Sequence, residues 1–113
     1  MARTAKVLNA GTQLTTSAAT YYTAPALTTT VIQSVVLTNT TGGAVTATVH
    51  LVTSGGTATA SNMVLSARSL VAGETYLVPA CAGAVLGPAG TLQALASANT
   101  SISLMASGTE VVS

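Results

Sequence analysis

Val35-Val-Leu-Thr-Asn-Thr-Thr-Gly-Gly-Ala-Val-Thr-Ala-Thr-Val-His-Leu-Val52 is the stretch whose reading decides the fold class. Across Ala44–Thr53, Val45, Ala47, Val49 and Leu51 alternate with Thr46, Thr48, His50 and Val52. Only an extended backbone sends successive side chains to opposite faces, so this period of two predicts a strand with one face in a core. Thr and Val also supply the matching propensity, because branched side chains pack well on a pleated surface. Upstream, Val31–Asn39 reads as a second strand, with Val31, Val35 and Leu37 on one face. Between them Thr40-Thr-Gly-Gly43 carries a tight-hairpin signal, since adjacent glycines accept the positive φ of primed turns.

The same grammar continues in both directions. Residues 1–16 lack strong periodicity and read as an extended N-terminal arm or edge strand, dispensable for the fold of a single domain at 17–113. Ala19–Ala24 forms a first short strand before Pro25. Residues 54–62 are a long surface loop rich in Ser, Gly and Thr. Met63–Ala67 and Thr75–Val78 are shorter strands joined across Val71-Ala-Gly-Glu74. Gly87-Pro-Ala-Gly90 turns the chain into Thr91–Ser97, Asn99-Thr100 turns it into Ser101–Ser107, and Glu110–Ser113 extends the last strand. No run of ten residues has a helical period and a cap. Seven or eight short strands at this spacing predict an all-β, antiparallel two-sheet sandwich, immunoglobulin-like or jelly-roll.

Composition narrows the function. Ala, Thr, Ser and Gly make up 63 of 113 residues, and 4 % of the chain is charged, against about 25 % in an ordinary globular protein. Three cations, Arg3, Lys6 and Arg68, cannot neutralise a run of phosphates, which excludes a nucleic-acid binder. Hydrophobic content of 49 % at a net charge of +1 is opposite to the signature of disorder. Mean hydropathy of +0.63 raises a membrane reading. The most apolar stretch, Tyr76–Ala89, is shorter than the ~20 residues of a spanning helix and is broken by Pro79 and Pro88. Val7–Leu14 makes no signal-peptide core, so assembly in a reducing cytoplasm is expected, with Cys81 a small buried thiol.

Little in the sequence carries catalytic chemistry. A metal site needs several ligands, and His50 has only Cys81, Glu74 and Glu110 as companions, none at motif spacing. His50 therefore reads as a solvent-face or interface strand histidine. Glu74 and Glu110 could pair as glycosidase carboxylates, yet Glu74 sits in an Ala-Gly-Glu-Thr turn where a lone solvated carboxylate is ordinary. No enzyme, cofactor or metal is expected. Tyr21 and Tyr22 are adjacent on a strand, so one ring can enter the core while the other faces out; filling of core and rim is the first reading, and an interface anchor the alternative. Arg3 and Lys6 place two of the three cations on the N-terminal segment, within reach of an acidic neighbour. These four residues are the candidate interface. A flat, nearly neutral surface of Thr, Ser and Ala suits permanent docking on a large protein surface.

Tyr22-Thr-Ala-Pro25, the Val35–Val52 stretch, Val71-Ala-Gly-Glu-Thr75, Val85–Ser97 and Ile102–Val111 together resemble small β-sandwich proteins encoded among bacteriophage structural genes. The resemblance spans about residues 20 to 112 and rests on strand and turn grammar, without a catalytic motif. It implies a virion structural protein, foremost a capsid decoration (cement) protein on the outer surface of the major capsid shell. Its partners would be the major capsid protein and neighbouring copies of itself, as a homodimer or homotrimer, with no membrane or small-molecule substrate. A tail, neck or head-fibre component is the alternative within the virion. A carbohydrate-binding module is the alternative of another class, disfavoured by the absence of Trp and Phe.

Overall fold

The computed structural model describes residues 2–112. Nine strands follow in chain order: β1 (Ala2–Gln13), β2 (Ala19–Thr23), β3 (Thr28–Asn39), β4 (Val45–Val52), β5 (Met63–Leu70), β6 (Thr75–Leu77), β7 (Ala84–Leu86), β8 (Thr91–Ala96) and β9 (Ile102–Val112). They form two antiparallel sheets. One runs β1-β9-β3-β6, with β7 also on β3, and the other runs β2-β8-β4-β5. Because β6 and β7 occupy successive stretches of the β3 edge, they serve as one interrupted strand. The two orders are those of a jelly roll, which removes the immunoglobulin-like alternative.

The core lies between the sheets. It is built from residues at alternate positions, such as Val35 and Leu37 of β3, Ala47 and Val49 of β4, and Leu92 and Leu104 opposite them, all fully buried. Val31 is not among them. A bulge between Ile32 and Ser34 shifts the register of β3 on β9. It reverses the parity, so Ile32 rather than Val31 enters the core.

The Thr40–Gly43 hairpin does not form. β3 and β4 belong to different sheets, so residues 40–44 cross the ~10 Å between sheets instead of reversing within one. Neither Gly42 nor Gly43 takes a positive φ. Asn39 organises the crossing. Its fully buried side chain donates from Nδ2 to the carbonyls of Gly43 (2.8 Å), Leu70 (2.9 Å) and Val71 (3.2 Å). Its Oδ1 accepts from the Thr41 N–H (2.9 Å) and hydroxyl (2.7 Å).

Residues 2–13 are the edge strand of the larger sheet, paired with β9 from Ala2↔Val112 to Gln13↔Ser103. Leu8 and Leu14 are buried in the core, and the Leu14 N–H donates to the Ile102 carbonyl (2.8 Å). Removing residues 1–16 would strip both leucines from the core and uncover the β9 edge. The segment thus takes the edge-strand reading of the two the sequence offered. Its first half, residues 3–7, is nonetheless exposed on both faces, because strands of 11 and 12 residues overhang the shorter opposite sheet.

Cys81 lies in a 3-10 turn (Pro79–Cys81) and is fully buried. Burial pushes its thiol up to about 11, because the thiolate is poorly solvated there. An aromatic disulfide reagent at pH 8 should leave it unmodified in the native protein and titrate one thiol in urea. Fast labelling without denaturant would contradict this packing.

Candidate interaction surface

Of the four candidate residues, Arg3 and Lys6 lie on opposite faces of β1, and Tyr21 and Tyr22 lie on β2. Successive residues alternate, so Lys6 projects toward the opposite sheet and Arg3 away from it. Lys6 Nζ lies 3.4 Å from Glu110 Oε2, an ion pair half-exposed at the lysine and largely buried at the glutamate. The acidic neighbour of Lys6 is thus supplied by the last strand of its own chain. Arg3 is exposed, opposite Val111 of β9.

Tyr22 completes the Lys6 cluster. Its ring is buried, its hydroxyl donates to Glu110 Oε2 (2.5 Å), and Thr30 Oγ1 lies 2.7 Å away on the other side. With its one proton given to the carboxylate, the tyrosine oxygen accepts from Thr30. Burial, and then the bond to Glu110, push the Tyr22 phenol up to about 12 from its ordinary 10. Between those values the unfolded chain loses the proton while the folded chain keeps it. The contribution of Tyr22 to stability is therefore complete below pH 10 and is lost as pH rises toward 12. Tyr22→Phe should flatten that decline by on the order of 1 kcal/mol, read from urea midpoints at pH 9 and pH 11.5. Equal slopes for the two proteins would contradict the assignment.

A second bulge leaves Tyr21 and Tyr22 filling core and rim, with strict one-in, one-out alternation broken between them. The β2·β8 register skips Tyr21, passing from Thr20↔Gln93 to Tyr22↔Leu92. Both rings consequently reach the core, Tyr22 within it and Tyr21 packed against it. The Tyr21 hydroxyl is buried without a hydrogen-bond partner among the described residues. Its backbone carbonyl accepts from Asn9 Nδ2 (2.8 Å), which joins β1 to β2 across the sandwich. The third tyrosine, Tyr76, is half-buried, with the Arg68 guanidinium 4.3 Å over its ring. No ring of the three is a free platform among the described residues.

His50 also departs from expectation, being 3 % exposed. The 53–62 connection lies over the outer face of β4. Asn62 Oδ1 accepts from the Thr59 N–H (3.0 Å), so it is also the acceptor for His50 Nδ1 at 2.8 Å, which fixes the proton on that nitrogen. The alternation in β4 could not show this, because an outward residue covered by a loop has the same pattern as a solvated one.

The two glutamates stand apart. Glu110 pairs with Thr30 and Glu74 bonds Asn39, near opposite ends of β3 and about 30 Å apart along a strand. Glu74 accepts from the Val71 N–H (2.8 Å) and closes its own turn. No group of three His, Cys, Asp or Glu side chains among the described residues could hold a metal ion.

Sequence reasoning missed one surface. The outer face of the larger sheet carries exposed Val7, Leu77, Val85 and Met105, between 52 and 60 % accessible. The register places Val36 between Leu77 and Met105, and Ser34 beside Ser107 and Val7. Ser34 and Ser107 join their hydroxyls at 2.8 Å. An open hollow of about 210 Å³ lies among Val7, Asn9, Ser34, Val36, Met105 and Ser107. The signal in the sequence was faint, a valine or methionine at alternate positions of strands already read as half-buried.

No family model matches the chain, and no curated protein sequence does. Among solved structures it is similar to a chain in the structure of infectious bursal disease virus, Gx strain. The TM-score is 0.51 at 20 % identity, covering 96 % of this chain and 30 % of that one. A chain of the same virus, Gt strain, matches at TM-score 0.46 and 19 % identity over 96 % of this chain and 32 % of that one. The protein thus spans about a third of the length of those chains, and what it shares with the first of them is the sandwich fold.

Proposed function

We propose that the chain is a virion structural protein, a bacteriophage capsid decoration protein that sits on the outer surface of the major capsid shell and braces it. The observation that carries this reading is the surface. A sandwich with five charged residues presents nearly neutral sheet faces, which suit permanent contact with a large protein lattice better than free life in solution. Likeness of fold to a chain from a virus particle supports it at the level of architecture. Many tethered copies would act together through avidity, so each contact needs only ordinary strength. A sugar-binding module is disfavoured, because Tyr21, Tyr22 and Tyr76 are each buried or half-buried.

Stoichiometry in purified particles, by quantitative mass spectrometry against the major shell protein, tests the proposal. A copy number comparable to that of the shell protein is the expected result. A handful of copies per particle would move the chain to the tail, neck or fibre. Complete absence from particles would overturn the virion reading.

A further inference from the structure

The geometry points to the outer face of the larger sheet, centred on Val36 and Met105, as the docking surface for a second copy of this chain. Three observations converge. The first is shape. The face holds a hollow of about 210 Å³ at the bulges of β1 and β3, bordered by Met105 and Val7. Leu77 and Val85 stand 55 and 60 % exposed at its far edge on β6 and β7. A single surface that carries both a hollow and projecting aliphatic side chains complements itself. A two-fold axis sets the projections of each copy toward the hollow of the other.

The second observation is charge. Among the described residues only Arg3 projects charge from this face, at its corner beside Val111. Lys6 and Glu110 pair on the opposite side, Arg68 covers Tyr76, and Glu74 closes its own turn. A second copy presents the same face, with its own Arg3 at the corner as the one cation, so across the rest of the contact neutral meets neutral without desolvating ions.

The third is area. The molecule measures 46 × 25 × 20 Å, and a broad face framed by the two longer extents exceeds the ~800 Å² per partner of a stable interface. Contiguous exposed aliphatic residues on such a face mark an interaction site rather than ordinary surface. The inference does not rest on the virion reading, since association in solution is measured without particles.

Sedimentation equilibrium of the full chain, from about 10 to 500 µM, is the test. The wild type should dimerise. Met105→Glu should raise the dissociation constant by about tenfold or more, because each copy would bury an unpaired carboxylate. Leu77→Lys provides a second reading from the other side of the face should Met105→Glu fail to fold, with folding checked by urea unfolding. Val71→Lys, on the turn before β6 and 61 % exposed, should leave association unchanged. A wild type monomeric throughout that range would overturn the proposal. So would a dimer that both face variants leave as tight as before, or one that only Val71→Lys weakens.

Discussion

Asn39→Leu should lower the stability of the sandwich by about 3–5 kcal/mol, the largest loss expected from any polar substitution in the chain. The side chain is fully buried and makes five hydrogen bonds, three as donor and two as acceptor. Its backbone adds two more, donating to the Glu74 carbonyl (2.9 Å) and accepting from the Gly73 N–H (3.1 Å). One residue thereby holds the 40–44 crossing and the 71–74 turn together where the chain twice changes sheets. Leucine fills the volume but leaves the Leu70 carbonyl and the Thr41 N–H without their partner, and each orphaned group costs about 1–3 kcal/mol when desolvated. Equilibrium urea unfolding should show a lower midpoint at unchanged slope. Asn39→Asp separates the donors from the acceptors. It keeps an oxygen for Thr41 but turns a carboxylate toward three carbonyls. Its folded-state pKa must rise above the unfolded value, so its defect is greatest at neutral pH and shrinks on acidification. A variant of wild-type stability at pH 7 would show that the amide is not what fixes the crossing.

The strands were legible in the sequence because their cause is local. Alternation and branched side chains mark β2, β4 and the second half of β3 within a residue or two of their observed bounds. Connectivity was not legible, because a glycine pair reports that the chain bends and not which sheet receives it. β7 escaped because Ala84-Val-Leu86 is too short for a period and lies between glycines. The bulges escaped for a deeper reason. A skipped residue such as Gln33 or Tyr21 is set by how two strands distant in sequence take up their twist, and from that point every in-or-out assignment is inverted. Val31 and the strict alternation of Tyr21 and Tyr22 failed at those points. His50 failed because tertiary cover of an outward position leaves no mark in the strand that carries it. Of the four candidate interface residues, Lys6 and Tyr22 converge on Glu110, a partner 88 or more positions away, which local spacing could not anticipate. The apolar outer face was invisible for the opposite reason. Its residues are individually unremarkable, and only the register of five strands assembles them.

The glycines give the sharpest separation between what a sequence signals and what a structure requires. Gly42 and Gly43 carried the turn signal, yet neither adopts a positive φ and a side chain at either would meet nothing within 4 Å. Alanine at either position should be neutral or slightly stabilising, by up to ~1 kcal/mol through reduced freedom of the unfolded chain. Gly108, inconspicuous in the middle of β9, is the one the fold depends on. It pairs with Ile32 just before the register of β3 shifts. A Cβ there would overlap the Val31 carbonyl oxygen and stand 3.1 Å from Ile32 Cα and 3.2 Å from Leu8 Cδ1. Two of those three atoms are backbone in the central strand of the sheet and cannot swing aside as a rotamer would. Gly108→Ala should therefore cost about 3 kcal/mol or more, the upper end of overpacking losses, and lower Tm by ~12 °C in a domain of this size. Pairing it with Leu8→Ala tests where the clash lies. If the side chain were the obstacle, the double variant would recover most of the loss. With the obstacle in the β3 backbone, the two losses should add, since truncating Leu8 opens a cavity without freeing the Val31 carbonyl. A double variant more stable than Gly108→Ala alone would place the constraint in side-chain packing and leave the bulge free to form without its glycine.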